Sequence, residues 1–127
     1  MTKFWDLNGN GQNDGEPGLG GWTIQFYNAA NTLVTTAVTS PSGTICVGVP
    51  GGAAYTVQEV LQGGCVQTYP TPPGTHAIFV ECGQLVNIQF GNRCPLPTAS
   101  ATPSPPRTST PTRTRTRTPT SIVPPID

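Results

Sequence analysis

The residues best placed to do chemistry lie together near the N-terminus, in Asp6-Leu7-Asn8-Gly9-Asn10-Gly11-Gln12-Asn13-Asp14-Gly15-Glu16. Oxygen-bearing side chains alternate at Asp6, Asn8 and Asn10, then a glycine follows, then two more carboxylates at Asp14 and Glu16. A hard cation such as Ca2+ takes six to eight oxygens, and alternate side chains with one main-chain carbonyl can converge on it. The spacing assigns side-chain oxygens to Asp6, Asn8, Asn10, Asp14 and Glu16, and a main-chain carbonyl to Gln12. Gly11 falls where such a loop turns sharply and a Cβ would clash. The helix–loop–helix calcium pattern puts a bidentate Glu at its twelfth position, where this chain has Pro17. The flanks Lys3-Phe4-Trp5 and Trp22-Thr23-Ile24-Gln25-Phe26 read as strands, so the expectation is a calcium loop between two β-strands. The competing reading is a metal-free Asn/Gly turn. Three clustered carboxylates with no Lys or Arg nearby argue against it.

The elements that must hold this loop are short. Trp22 to Tyr27 alternates apolar and polar residues, Thr32 to Thr39 is β-branched-rich, and Ser40-Pro41-Ser42-Gly43 has turn chemistry. Thr44 to Val49 carries Ile45, Val47 and Val49 on one face, and Ala54 to Val60 carries Tyr55 and Val57. Leu61 to Gly74 reads as a long loop. Thr75 to Glu81 and Leu85 to Phe90 read as a hairpin over Cys82-Gly83-Gln84. With residues 2–6 this makes seven short strands, no helical period, and an antiparallel β-sandwich over residues 1–94. Phe4, Trp22 or Phe26, Tyr55, Val57, Ile88 and Phe90 are the expected core.

Phe4 to Leu19, with Ser42-Gly43, Tyr55-Thr56-Val57-Gln58-Glu59 and Asn87-Ile88-Gln89-Phe90-Gly91-Asn92, resembles the B-type repeat domains of bacterial surface adhesins of the serine–aspartate repeat family. The likeness covers residues 3–92. It implies a calcium-stabilised, prealbumin-like sandwich of the collagen-adhesin B class, used outside the cell as a stalk or structural module. Family members as a rule carry a longer first strand and lack this cysteine set. The short first strand here leaves a gap at a sheet edge that another strand could fill. The broader class includes domains with a spontaneous Lys–Asn isopeptide bond promoted by a buried carboxylate. Lys3, Glu59 and Asn92 are the corresponding residue types on the corresponding strands. Against that bond, Lys3 stands three residues before Asp6, a spacing that points it to solvent, and the closer calcium-loop relatives generally lack it.

The 127 residues carry six basic and six acidic side chains, so no net field steers the chain to nucleic acid or membrane. No apolar run is long enough to span a bilayer, and because Met1 leads directly into a candidate strand the expectation is a processed or trimmed form with no signal peptide. Cys46, Cys65, Cys82 and Cys94 include no C-x-x-C pair, which disfavours zinc and suits disulfides in an oxidising, extracellular setting. Cys65 and Cys94 should lie at one end of the sandwich and could bond. Cys46 and Cys82 are left either to pair within a copy or to join neighbours. His76 is the one histidine and has no partners for nucleophilic or acid–base catalysis, so an enzyme is not expected.

After Cys94 the composition shifts, with nine of the fifteen prolines in the last 33 residues. The plain reading is a disordered, O-glycosylated spacer. Two features favour a packing role. Thr112 to Thr118 alternates strictly, so a strand there would put Arg113, Arg115 and Arg117 on one face. The tail then ends in the apolar run Ile122-Val123-Pro124-Pro125-Ile126. Extended, 33 residues reach roughly 100 Å, against about 30 Å across the sandwich. The tail could therefore cross a neighbour and add to its sheet edge, giving rings, helices or tubes. An Arg-stripe nucleic-acid arm is disfavoured because the tail has no aromatic residue to stack on bases.

The sequence thus points to a calcium-binding subunit of an extracellular filament, tube or sheath, a homopolymer linked by its tail. The alternative is a monomeric cell-surface adhesin or stalk module with a disordered spacer and a matrix or glycan ligand. A sugar-binding role would use Trp5 and Trp22 as stacking platforms.

Overall fold

The computed structural model describes residues 1–96, whose regular structure is all strand with no helix. Its strands are β1 (Thr2–Trp5), β2 (Thr23–Asn28), β3 (Leu33–Val38), β4 (Ala53–Glu59), β5 (Val66–Tyr69), β6 (Thr75–Val80) and β7 (Gln89–Arg93). They make a sandwich of two sheets, β1-β7-β5 and β3-β2-β4-β6. The alternation read in β2 and β4, antiparallel neighbours in one sheet, turns the apolar residues of both to the core. Ile24 and Phe26 on β2, Tyr55 and Val57 on β4, Val80 on β6 and Phe90 on β7 meet there, all buried.

Four expectations change. The hairpin over residues 82–84 does not form: β6 pairs with β4, while β7 joins the other sheet between β1 and β5. Its apolar alternation reported a buried face, which two strands of different sheets share equally well. The sandwich is not wholly antiparallel, since β1 and β7 run parallel, with Thr2 opposite Gln89 and Trp5 opposite Asn92. The region expected to be one long loop holds β5, whose polar Gln67 and Thr68 hid it. Thr44 to Val49 and Leu85 to Ile88 run outside any strand except for a single bridge at Thr44.

The 40–43 turn forms as its residues imply, with the Gly43 amide donating to the Ser40 carbonyl at 2.8 Å. Gly43 has φ +76°, and its missing Cβ would lie 2.3 Å from the Lys3 carbonyl oxygen and 2.6 Å from the Leu19 nitrogen. Both obstacles are backbone, so neither can swing away. Gly43→Ala should therefore cost about 2–3 kcal/mol or more of stability, from left-handed strain and overpacking together. Equilibrium urea unfolding of the variant checks this, and a midpoint equal to wild type would contradict the packing.

Candidate functional site

The strand pattern brings three polar side chains into the dry centre of the sandwich. On β4 the residues facing the core are Tyr55, Val57 and then Glu59. On β7 Phe90 and Asn92 face the same way. Lys3 on β1 lies opposite Phe90, so its chain runs along the neighbouring strand towards Asn92. Lys3 and Asn92 are fully buried, and the Glu59 side chain is 1% exposed. The Lys3 Nζ donates to the Glu59 carboxylate and to the Asn92 Oδ1. The Asn92 Nδ2 donates to Glu59 Oε1 at 2.6 Å, closing a three-membered ring of contacts. Trp22 walls the site, with the Lys3 Nζ 4.1 Å from its ring centre, and Phe90 lies 5.9 Å away.

This overturns the argument from spacing that Lys3 points to solvent. Burial pushes its amine down from 10.5 to about 8, against the opposing pull of the hydrogen bond and charge of Glu59. The ammonium is thus closer to its neutral, nucleophilic form than an ordinary lysine. A single ion pair in an apolar core is costly to maintain, and stability alone is a weak reason for it.

The oxygen-rich loop leaves β1 directly below this site. Asp6 is fully buried and acts as its base. Its carboxylate accepts the amides of Gly9 at 2.7 Å, Asn10 at 3.1 Å and Gly11 at 2.7 Å. Desolvation works against its charge. The neighbouring Thr68 hydroxyl and the Gly11, Gly9 and Asn10 amides outweigh that and hold the carboxyl below its usual range. Gly11 has φ +73°, the sharp turn its position implied, and its missing Cβ would lie 3.1 Å from the Thr68 carbonyl oxygen. The loop therefore packs on β5, a contact invisible while β5 read as loop.

Above Asp6 the side chains of Asn8 and Asn10 each donate to Asp14 Oδ2 at 3.2 Å. The Asn8 Oδ1 accepts the Asn10 amide, and the Asn10 Oδ1 accepts the Gln12 amide. Glu16 Oε1 accepts the Leu7 amide at 2.7 Å, while its Oε2 is buried with no hydrogen-bond partner. A buried, unpartnered carboxylate oxygen in an Asn- and Asp-rich loop fits a hard cation, which would give it a ligand. Among the described residues no three His, Cys, Asp or Glu side chains gather as a ligand cluster, so a cation here would depend on the amide oxygens of Asn8 and Asn10. One assumption about the loop needs correcting: Arg93 packs against Gly9, though it forms no ion pair with the loop carboxylates.

Cys65 and Cys94 are bonded, fastening the end of β7 to the start of β5. Cys46 and Cys82 are free and exposed, so they do not pair within the copy. Trp22 is 2% exposed and cannot stack on a sugar. Trp5 is half-buried, its indole donating to the Cys94 carbonyl at 3.3 Å. The Gln89 carbonyl accepts a 2.6 Å bond from the His76 ring. No helix among the described residues is long and apolar enough to cross a membrane. The tail residues Arg113, Arg115, Arg117, Ile122, Val123 and Ile126 lie outside the described residues. No protein-family model and no curated protein matches the chain.

Proposed function

We propose that this protein is a load-bearing module of an extracellular polymer, stiffened by Ca2+ at residues 6–16 and covalently closed by a Lys3–Asn92 isopeptide bond. The observation that carries the reading is the buried Lys3 and Asn92 on the parallel pair of β1 and β7, with Glu59 of β4 reaching them from the opposite sheet. Parallel neighbours at the two ends of the chain place Met1 and Cys94 at opposite ends of the sandwich. A pull on the two termini then shears the whole β1–β7 ladder at once, rather than peeling it bond by bond. A bond from Lys3 to Asn92 carries that pull directly between the strands.

The step needs no cofactor. Proton transfer within the Lys3–Glu59 pair leaves a neutral amine and a neutral acid. The Lys3 Nζ attacks the Asn92 Cγ and forms the new C–N bond. The bond from Cγ to Nδ2 breaks, and Nδ2 leaves as ammonia with the proton relayed by Glu59. Amine plus primary amide give secondary amide plus ammonia, with no change of oxidation state.

In Asn92→Ala the lysine keeps its amine, and the sign of its pH dependence follows. With the folded value near 8 and the unfolded value near 10.5, the unfolded chain binds the extra proton between them. Stability of that variant should rise as pH increases from about 8 to about 10.5 and be flat just below. The bonded wild type, whose Nζ is an amide, should lack the rise. Urea midpoints measured across this window check it.

The assembly half of the reading rests on the tail. Removing residues 95–127 should leave a folded monomer, and light scattering with electron microscopy should find the full chain in particles many copies long. Equal particle sizes for both would favour the monomeric stalk reading.

A further inference from the structure

β1 stops short in its sheet, and the space beyond its Met1 end is flanked on both sides. Thr44 is bridged antiparallel to Thr2, and Met1 and Ile45 exchange hydrogen bonds in which the Ile45 amide donates to the Met1 carbonyl. Residues 46–49 continue that line past Met1. On the other side the Thr2 amide donates to the Ile88 carbonyl, and residues 85–88 continue β7 backwards past the same point. Both segments line one groove, and continued from either side of β1 they leave room for one strand between them. The amides of Cys46 to Val49 and of Leu85 to Ile88 find no main-chain partner among the described residues. The inward side chains Ile45, Val47, Val49, Val86 and Ile88 are only half-buried, over a groove of about 230 Å³ floored by Phe26, Ile78 and Val80. Main-chain edges on both sides and an apolar floor are the requirements of an inserted strand.

We infer that this groove receives the C-terminal run of a second copy, with Thr120-Ser121-Ile122-Val123 in the ladder and Ile122 facing the floor. The inference rests on the polymer reading above. Three observations select this occupant. β7 runs away from the groove and is fastened at its far end by the Cys65–Cys94 disulfide, so the chain leaves from the end opposite the groove. In a head-to-tail stack that exit faces the groove of the next copy. The 31 residues after Leu96 extend roughly 95 Å, several times what such a stack requires. A strand between two partners excludes proline, and the groove spans four residues at 46–49. Residues 120–123 are a proline-free run of that length, set between Pro119 and Pro124 and including Ile122 and Val123. The longer proline-free run 112–118 would instead put threonine hydroxyls onto the apolar floor, where each unmatched hydroxyl is costly.

With Ile122 facing inward, Ser121 and Val123 face outward, as the exposed Cys46 does. The test uses the full chain. In Ser121→Cys or Val123→Cys, mild oxidation should give a non-reducing ladder of copies joined through Cys46, identified by peptide mapping, and a bridge within a monomer would overturn the second-copy assignment. In parallel, a synthetic peptide of residues 118–127, at about ten times its Kd for the full-length Ile122→Asp variant, should slow amide exchange at 46–49 and 85–88 about tenfold. Protection by a peptide of residues 110–118 instead would overturn the choice of segment. Polymers of wild type that form without either signature would overturn the groove and leave the polymer reading standing. Peptide protection in a protein that never polymerises would keep the groove and remove the polymer.

Discussion

The folded wild-type protein should weigh one ammonia less than its sequence, and Lys3→Ala, Glu59→Gln and Asn92→Ala should each restore the full mass for their own composition. Glu59→Gln is the sharpest of the three. It keeps both reacting groups and removes only the carboxyl that relays the proton between them. The energetic consequence is large because the bond closes nearly the whole sandwich. A cross-link spanning about 90 residues restricts the unfolded chain by roughly 4.5 kcal/mol on the loop-entropy account. For a domain of this size that is roughly 20–35 °C in melting temperature. The unbonded variants should melt lower by that order. A full sequence mass for folded wild type would remove the covalent half of the proposal outright.

Chelation should produce the second large effect. Bound ion stabilises the folded state by mass action, and a hundredfold excess over Kd contributes about 2.7 kcal/mol. Removing it with EDTA should lower the melting temperature by roughly 10–20 °C. Part of the cause is local: the buried Glu16 Oε2 would lose its ligand. Asp14→Asn and Glu16→Gln should each shrink the difference between calcium-loaded and chelated protein. An identical melting curve after metal removal confirmed by elemental analysis would end the assignment of Asp6, Asn8, Asn10, Gln12, Asp14 and Glu16 to an ion.

Much of this architecture was legible because β2 and β4 alternate cleanly, and because Gly11 and Gly43 stand where left-handed backbone was required. Pairing was less legible. Alternation reports that one face is buried, and says nothing of which edge a strand joins, so residues 85–90 were assigned to the wrong neighbour. Residues 44–49 alternate as a strand does yet have no ladder there, because a strand is defined by its partner. Cys65 and Cys94 could be placed at one end of the sandwich from the expected strand order, although β5, which Cys65 precedes, had read as loop. Lys3 was misjudged because positions three apart on a strand point opposite ways, yet both Lys3 and Asp6 are buried. The usable signal was its place two residues from Met1 on a strand whose inward positions continue the apolar stripe. The buried Glu59 extends the Tyr55 and Val57 stripe in the same way, so a charged residue in register with a core face was the mark of the site.

One consequence follows from having β1 and β7 side by side. With Lys3 tied to Asn92, tension skips the 88 residues between them, which hang from the string as a slack pendant. The turn at Asn28 to Asn31, on that pendant, could then host a grafted peptide without weakening the thread.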